Sequence, residues 1–115
     1  MPPTLADRLT HVLESINDIQ ELLAGMTQVS IAKDKFRRMA LERAFEIISE
    51  ASRKIPDEIK ASQSDIDWQG MAALGNRLRH AYHRIEIDIL WTIAERDLPP
   101  LRRFAEAVVR AERRS

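Results

Sequence analysis

The sequence predicts an all-α protein: an antiparallel up-and-down bundle of four to five helices joined by short connections. Two observations carry this. Apolar residues recur at three- and four-residue steps along most of the chain, the period of a helix with one buried face. Three glycines in 115 residues are few, which disfavours a turn-rich β fold. The length suits one domain, residues 1–115, with a single small core. Short chains with long helices often complete such a core by dimerising, so a homodimer is expected.

The first helix is placed at Leu5 to about Ala24, on Leu5, Leu9, Val12, Leu13, Ile16, Ile19, Leu22 and Leu23. Thr4 with Asp7 three residues on resembles a capping box, and Gly25 suits the C-terminal position. A second helix is placed at roughly Ile31 to Lys54, with Ser30 as its cap. Its apolar stripe is Phe36, Ala40, Ala44, Phe45, Ile47, Ile48 and Ala51. Pro56 stops it, and "PDEIKA" reads as a short helix with proline and acids in its first turn. "SQSDIDW" is a loop in which Asp65 or Asp67 caps the next helix, whose stripe is Met71, Leu74, Leu78 and Tyr82. Another helical pattern follows, on Ile85, Ile89, Leu90 and Ile93, and closes before "DLPPL", where Pro99 and Pro100 disfavour helix. The last helix carries Leu101, Phe104, Ala105, Val108 and Val109 and ends in "RAERRS".

Composition excludes several function classes. The formal net charge is zero, which favours neither nucleic acid nor membrane. There is no cysteine, hence no disulfide framework, thiol nucleophile or cysteine-zinc site. The acidic pairs show no spacing for zinc or a two-metal centre, and no cofactor is expected. No apolar run reaches the ~18–20 residues of a membrane span, and "MPPTLADRLT" is unlike a signal peptide, so the expected compartment is the cytoplasm.

One stretch departs from this even background. "LGNRLRHAYHR", residues 74–84, holds three arginines, two of the three histidines and no carboxylate. A helix unbroken to Arg84 puts Leu74 and Tyr82 within about 40° of Leu78 on the buried side. Asn76, Arg77, His80, His83 and Arg84 gather opposite, with Arg77 and Arg84 at contact spacing from His80.

An imidazole titrates near neutrality, and neighbouring guanidinium groups favour its neutral, basic form. Arginines bind phosphate through paired hydrogen bonds. A general base beside a phosphate clamp is sufficient for RNA cleavage without a metal. His80 would take the proton of a ribose 2′-OH, which attacks the adjacent phosphorus, while arginine stabilises charge on the phosphoryl oxygens. The bland alternatives are a solvated basic face, or phosphate binding without chemistry.

"ALGNRLRHAYHRIEIDILW" resembles the signature region of the HepT-like toxins, members of the HEPN superfamily of small helical ribonucleases. Their signature, R-x-x-x-x-H-x-Y, is commonly seen as R-N-x-L-x-H-x-Y, and Asn76, Leu78, His80 and Tyr82 match it. "IDILW", "DLPPL", "ERAFEIISEASRKIP" and "DIDWQGMAALGN" follow the family's pattern on either side.

The resemblance implies a HEPN-like homodimer with its motif helices facing across a cleft, acting as a metal-independent endoribonuclease toxin. It implies a small nucleotidyltransferase antitoxin as partner, which in some members transfers AMP to the motif tyrosine, here Tyr82. His80, Arg77 and Asn76 would then be the catalytic group, with Arg79, Arg84 and His83 on RNA phosphates.

The motif arginine would fall at position 75, where this chain has Gly75. Arg77, only ~60° from His80 around the helix against ~140° for position 75, could take the phosphate role. Otherwise the chain is a catalytically weakened module that still binds its nucleotidyltransferase partner.

Overall fold

The computed structural model describes residues 2–80 and 86–114. Within them the helices are α1 (Leu5–Leu23), α2 (Gln28–Lys33), α3 (Lys35–Arg53), α4 (Asp57–Ser62), α5 (Trp68–His80), α6 (Ile87–Arg96) and α7 (Leu98–Arg114). Five have ten or more residues and two have six, so the all-α reading holds, and no strand occurs among the described residues. No helix among them is long and apolar enough to cross a membrane.

α1 starts where Thr4 and Asp7 predict. The Asp7 backbone N–H donates to Thr4 Oγ1 at 3.1 Å, and the Thr4 N–H donates to Asp7 Oδ2 at 2.9 Å. That backbone bond to the carboxylate, followed by the Thr4 side-chain bond, holds the Asp7 carboxyl below its ordinary titration range. Beyond the C-terminus of α1, Gly25 has φ +72°, the left-handed conformation that a Cβ disfavours.

The expected second helix is two helices. Thr27, not Ser30, caps the first of them, and Ser30 is the reciprocal partner three residues on. The break falls at Asp34, whose extended backbone ends α2 and whose Oδ1 accepts the Arg37 N–H at 3.0 Å to start α3. Two arginines of α3 then close the ends of other helices. Arg37 Nη1 donates to Leu22 O at 3.1 Å, and the buried Arg38 donates through Nη1 to Ala32 O at 2.7 Å.

The break also re-phases the predicted stripe. Ala44, Phe45 and Ile48 are buried, with Leu41 beside them, but Phe36 is 78% exposed and Ala40 lies outside. Pro99 and Pro100 do not delay the last helix. They sit in the first turn of α7, where a missing N–H costs nothing because the first N–H groups have no intrahelical acceptor.

α1 and α3 run antiparallel: Asp18 and Leu22 share a groove with Arg37 and Ala40, while Arg8 and His11 lie beside Glu50 and Lys54. α7 packs on the other side of α1, tied by Arg102 Nη2 donating to Asn17 Oδ1 at 3.0 Å. α5 packs on α3. Leu9, Val12, Ile16 and Ile19 of α1, Leu41, Phe45 and Ile48 of α3, Met71 and Leu74 of α5, Leu90 of α6 and Leu101 of α7 make one continuous core. Trp68 closes one end of it, edge-on to Phe104 at 5.9 Å between ring centroids.

Candidate nucleic-acid interface on α3 and α5

Asp67, the second of the two predicted caps, immediately precedes α5, and its Oδ1 accepts the Gly70 N–H at 2.9 Å. Met71 and Leu74 turn into the core and Leu78 is half-buried, as the sequence pattern requires. This phase carries Asn76, Arg77 and His80 to the exposed side. Asn76 and His80, four residues apart, are neighbours on that face. Tyr82, His83 and Arg84 lie outside the described residues, so the predicted flanking of His80 by Arg84 does too.

Gly75 points the other way. It is buried against α3, where an added Cβ would stand 2.7 Å from Ser49 Cβ and nearer still to Ser49 Oγ. No side chain fits there without moving the α3 backbone. The close approach that glycine permits is therefore used within the chain. Ser49, on the α3 side of this seam, and Ser52, three residues on, are buried, and their hydroxyls have no hydrogen-bond partner among the described residues.

Arg79 is half-buried, its side chain 26% exposed, and turns back over Gly75. Its Nη1 is 3.3 Å from where the Cβ of residue 75 would be and 3.5 Å from Glu50 Oε1, an ion pair without hydrogen-bond geometry. Its Nη2 donates to Asn76 Oδ1 at 2.6 Å. The same oxygen accepts a second hydrogen bond, from Arg53 Nη1 of α3 at 3.1 Å. One amide oxygen thus holds two guanidinium groups from two helices. Among the described residues the guanidinium of Arg77 has no such partner and stands free in solvent.

The profile of the ribonuclease HepT-like family matches residues 12–108, which include both helices of this seam. This chain belongs to that family. Two similar proteins align over most of its length. It is 34% identical to "Probable ribonuclease HepT" of Thermococcus cleftensis over 84% of this chain and 87% of that protein. It is 35% identical to "Putative RNase MJ1380" of Methanocaldococcus jannaschii, over 87% of this chain and 92% of that one. No solved structure matches it at a significant level.

Of the predicted site residues, the fold brings Asn76, Arg77 and His80 to one exposed face and sets Arg79 behind them, towards α3. Sequence reasoning missed Arg53 and Glu50. They flank the apolar stripe of α3, and no spacing in the chain links Arg53 to Asn76, 23 residues away.

Proposed function

We propose that this HepT-like chain is a metal-independent endoribonuclease with His80 as its acid–base group. The observation that carries the proposal is the exposed face of α5. There His80 stands one helical turn beyond Asn76, whose amide is held by two arginines. His80 removes the proton of a ribose 2′-OH, the 2′-oxygen bonds to the adjacent phosphorus, and the bond to the 5′-oxygen breaks. The departing oxygen takes up a proton, and a 2′,3′-cyclic phosphate remains. Arg77, exposed beside His80, balances charge on the phosphoryl oxygens, and Asn76 orients the phosphate. Arg84 and His83 complete the phosphate contacts, and Arg79 holds Asn76 from behind. The names of the two relatives, a probable ribonuclease and a putative RNase, support the same reading. RNA should be cut in the presence of a chelator, DNA should not, and His80→Ala should remove the activity.

Within this reading the chain acts as the toxin of a cytoplasmic toxin–antitoxin pair. It works as a homodimer and is neutralised by a nucleotidyltransferase-type antitoxin that adds AMP to Tyr82. An adduct there would set a bulky negative group two residues from His80, competing for the arginines that RNA needs. The exposed Phe36 and Met39, three residues apart on α3, with Val29 of α2, favour a second copy over a monomer. Val29 lines a groove with Glu86, Ile87 and Asp88, directly after the motif segment.

The second reading, a catalytically weakened module that binds its partner, rests on Gly75 in place of the motif arginine. The tight seam with Ser49 weighs against simple decay, because position 75 has a packing role here that arginine could not fill.

A further inference from the structure

We infer that Arg53, on α3, is a phosphate-binding residue of this site, set in place by Asn76. The inference rests on the ribonuclease reading for its ligand, the phosphodiester backbone of single-stranded RNA, and on the α3–α5 seam for its geometry.

Arg53 is exposed and has no carboxylate partner among the described residues. Glu50, three residues before it and at contact spacing on the same helix, instead pairs with Arg79. Arg53 donates to a neutral amide oxygen that already accepts from a second guanidinium. Two like charges converge on one oxygen, with one carboxylate nearby, at 3.5 Å from Arg79 alone. A guanidinium has five N–H donors, and the bond to Asn76 uses one of them. Among the described residues the rest of the fork has no partner, so it can take a phosphate in the two-bond manner that suits arginine.

Asn76 does more than anchor Arg53. With Oδ1 fixed by two donors, its amide cannot turn over, and its N–H₂ group must face away from both arginines. Asn76 and His80 share a face of α5, so the amide donors, the Arg53 fork and the imidazole border one surface. A phosphate held by the first two lies beside the third. Arg79, half-buried, works through Asn76 as a positioning residue. Gly75 lets its side chain fold back into the seam.

The test is binding of a 2′-O-methyl RNA oligonucleotide, which carries the phosphates but cannot supply the attacking hydroxyl. Affinity is measured against salt for the wild type, Arg53→Ala, Arg53→Lys and the Asn76→Ala background. Loss of one phosphate contact should weaken binding by roughly tenfold at low salt and reduce the slope of log affinity against log salt by about 0.7. Arg53→Lys should keep the slope, and the Arg53→Ala penalty should shrink once Asn76 is alanine. Unchanged affinity and slope in Arg53→Ala would overturn the inference, and a fall in Tm alone would make Arg53 a latch between α3 and α5. A wild type that binds no RNA overturns it as well. Cleavage of unmodified RNA is read separately. A protein that binds through Arg53 but never cuts would keep the inference and sink the ribonuclease reading; one that cuts through His80 with no role for Arg53 would do the reverse.

Discussion

Gly75 of α5 lies directly against Ser49 of α3, so close that a Cβ at position 75 would be 2.7 Å from that of Ser49. Glycine inside a helix costs about 1 kcal/mol relative to alanine, and here it is offset by the closeness of two helices that each contribute an arginine to one asparagine.

Gly75→Ala is therefore expected to destabilise the protein despite alanine's better helix propensity. Overpacking of this kind costs roughly 1–3 kcal/mol, more than the propensity gain of about 1 kcal/mol. Ser49→Ala would not relieve it, because the obstruction includes Ser49 Cβ, whereas Ser49→Gly would. A double-mutant cycle by chemical denaturation should show the two positions coupled. Additive effects would mean that the seam is looser than described. Gly75→Arg should cost more stability still and bring no gain in RNA cleavage over the wild type.

Phe36→Glu probes the homodimer. Phe36 is 78% exposed, so a charge there should leave the fold of one chain intact while shifting light scattering from a dimer mass to a monomer mass. A monomeric wild type, or a dimer unaffected by the change, would contradict the proposed assembly.

Phe45 is fully buried at the centre of the core. Phe45→Ala should cost about 3–5 kcal/mol, read from the denaturation midpoint. A loss under 1 kcal/mol would show that this core is not close-packed.

The Thr4–Asp7 box predicts an acid-range effect. The Asp7 carboxyl titrates lower in the folded chain than in the unfolded one, because the Thr4 backbone N–H and then its hydroxyl bond to it. Its contribution is fully present above the unfolded pKa and is lost as pH falls through the folded one. Thermal midpoints of wild type and Asp7→Asn should therefore converge as the solution is acidified below the ordinary carboxylate range. Curves that stay parallel would show that the carboxylate adds nothing.

The legible part of this molecule was what one helix states by itself. The stripes of α1, α5 and α7 and the cap at Thr4 follow from local spacing, and each lies where spacing puts it, while of the two carboxylates offered before α5, Asp65 and Asp67, it is Asp67 that caps. Asp34 was harder. A carboxylate inside a run of helix formers reads as one more polar residue, although it ends one helix and caps the next. The outward turn of Phe36 follows from that break. In the site, Asn76, Arg77 and His80 share a face because they share a helix. The meeting of Arg53 with Asn76 depends on how α3 packs on α5, and Gly75, a departure from the family's motif in sequence, is explained only by Ser49 across the seam.

The central claim is that one exposed imidazole on α5 cuts RNA, and the direct measurement is cleavage of a defined RNA by purified protein in excess chelator. The wild type should yield fragments ending in 2′,3′-cyclic phosphate, leave the DNA of the same sequence intact, and lose at least a hundredfold in rate on His80→Ala, the scale expected for a general acid–base group. Undiminished cutting by His80→Ala, or no cutting by the wild type, would contradict the account.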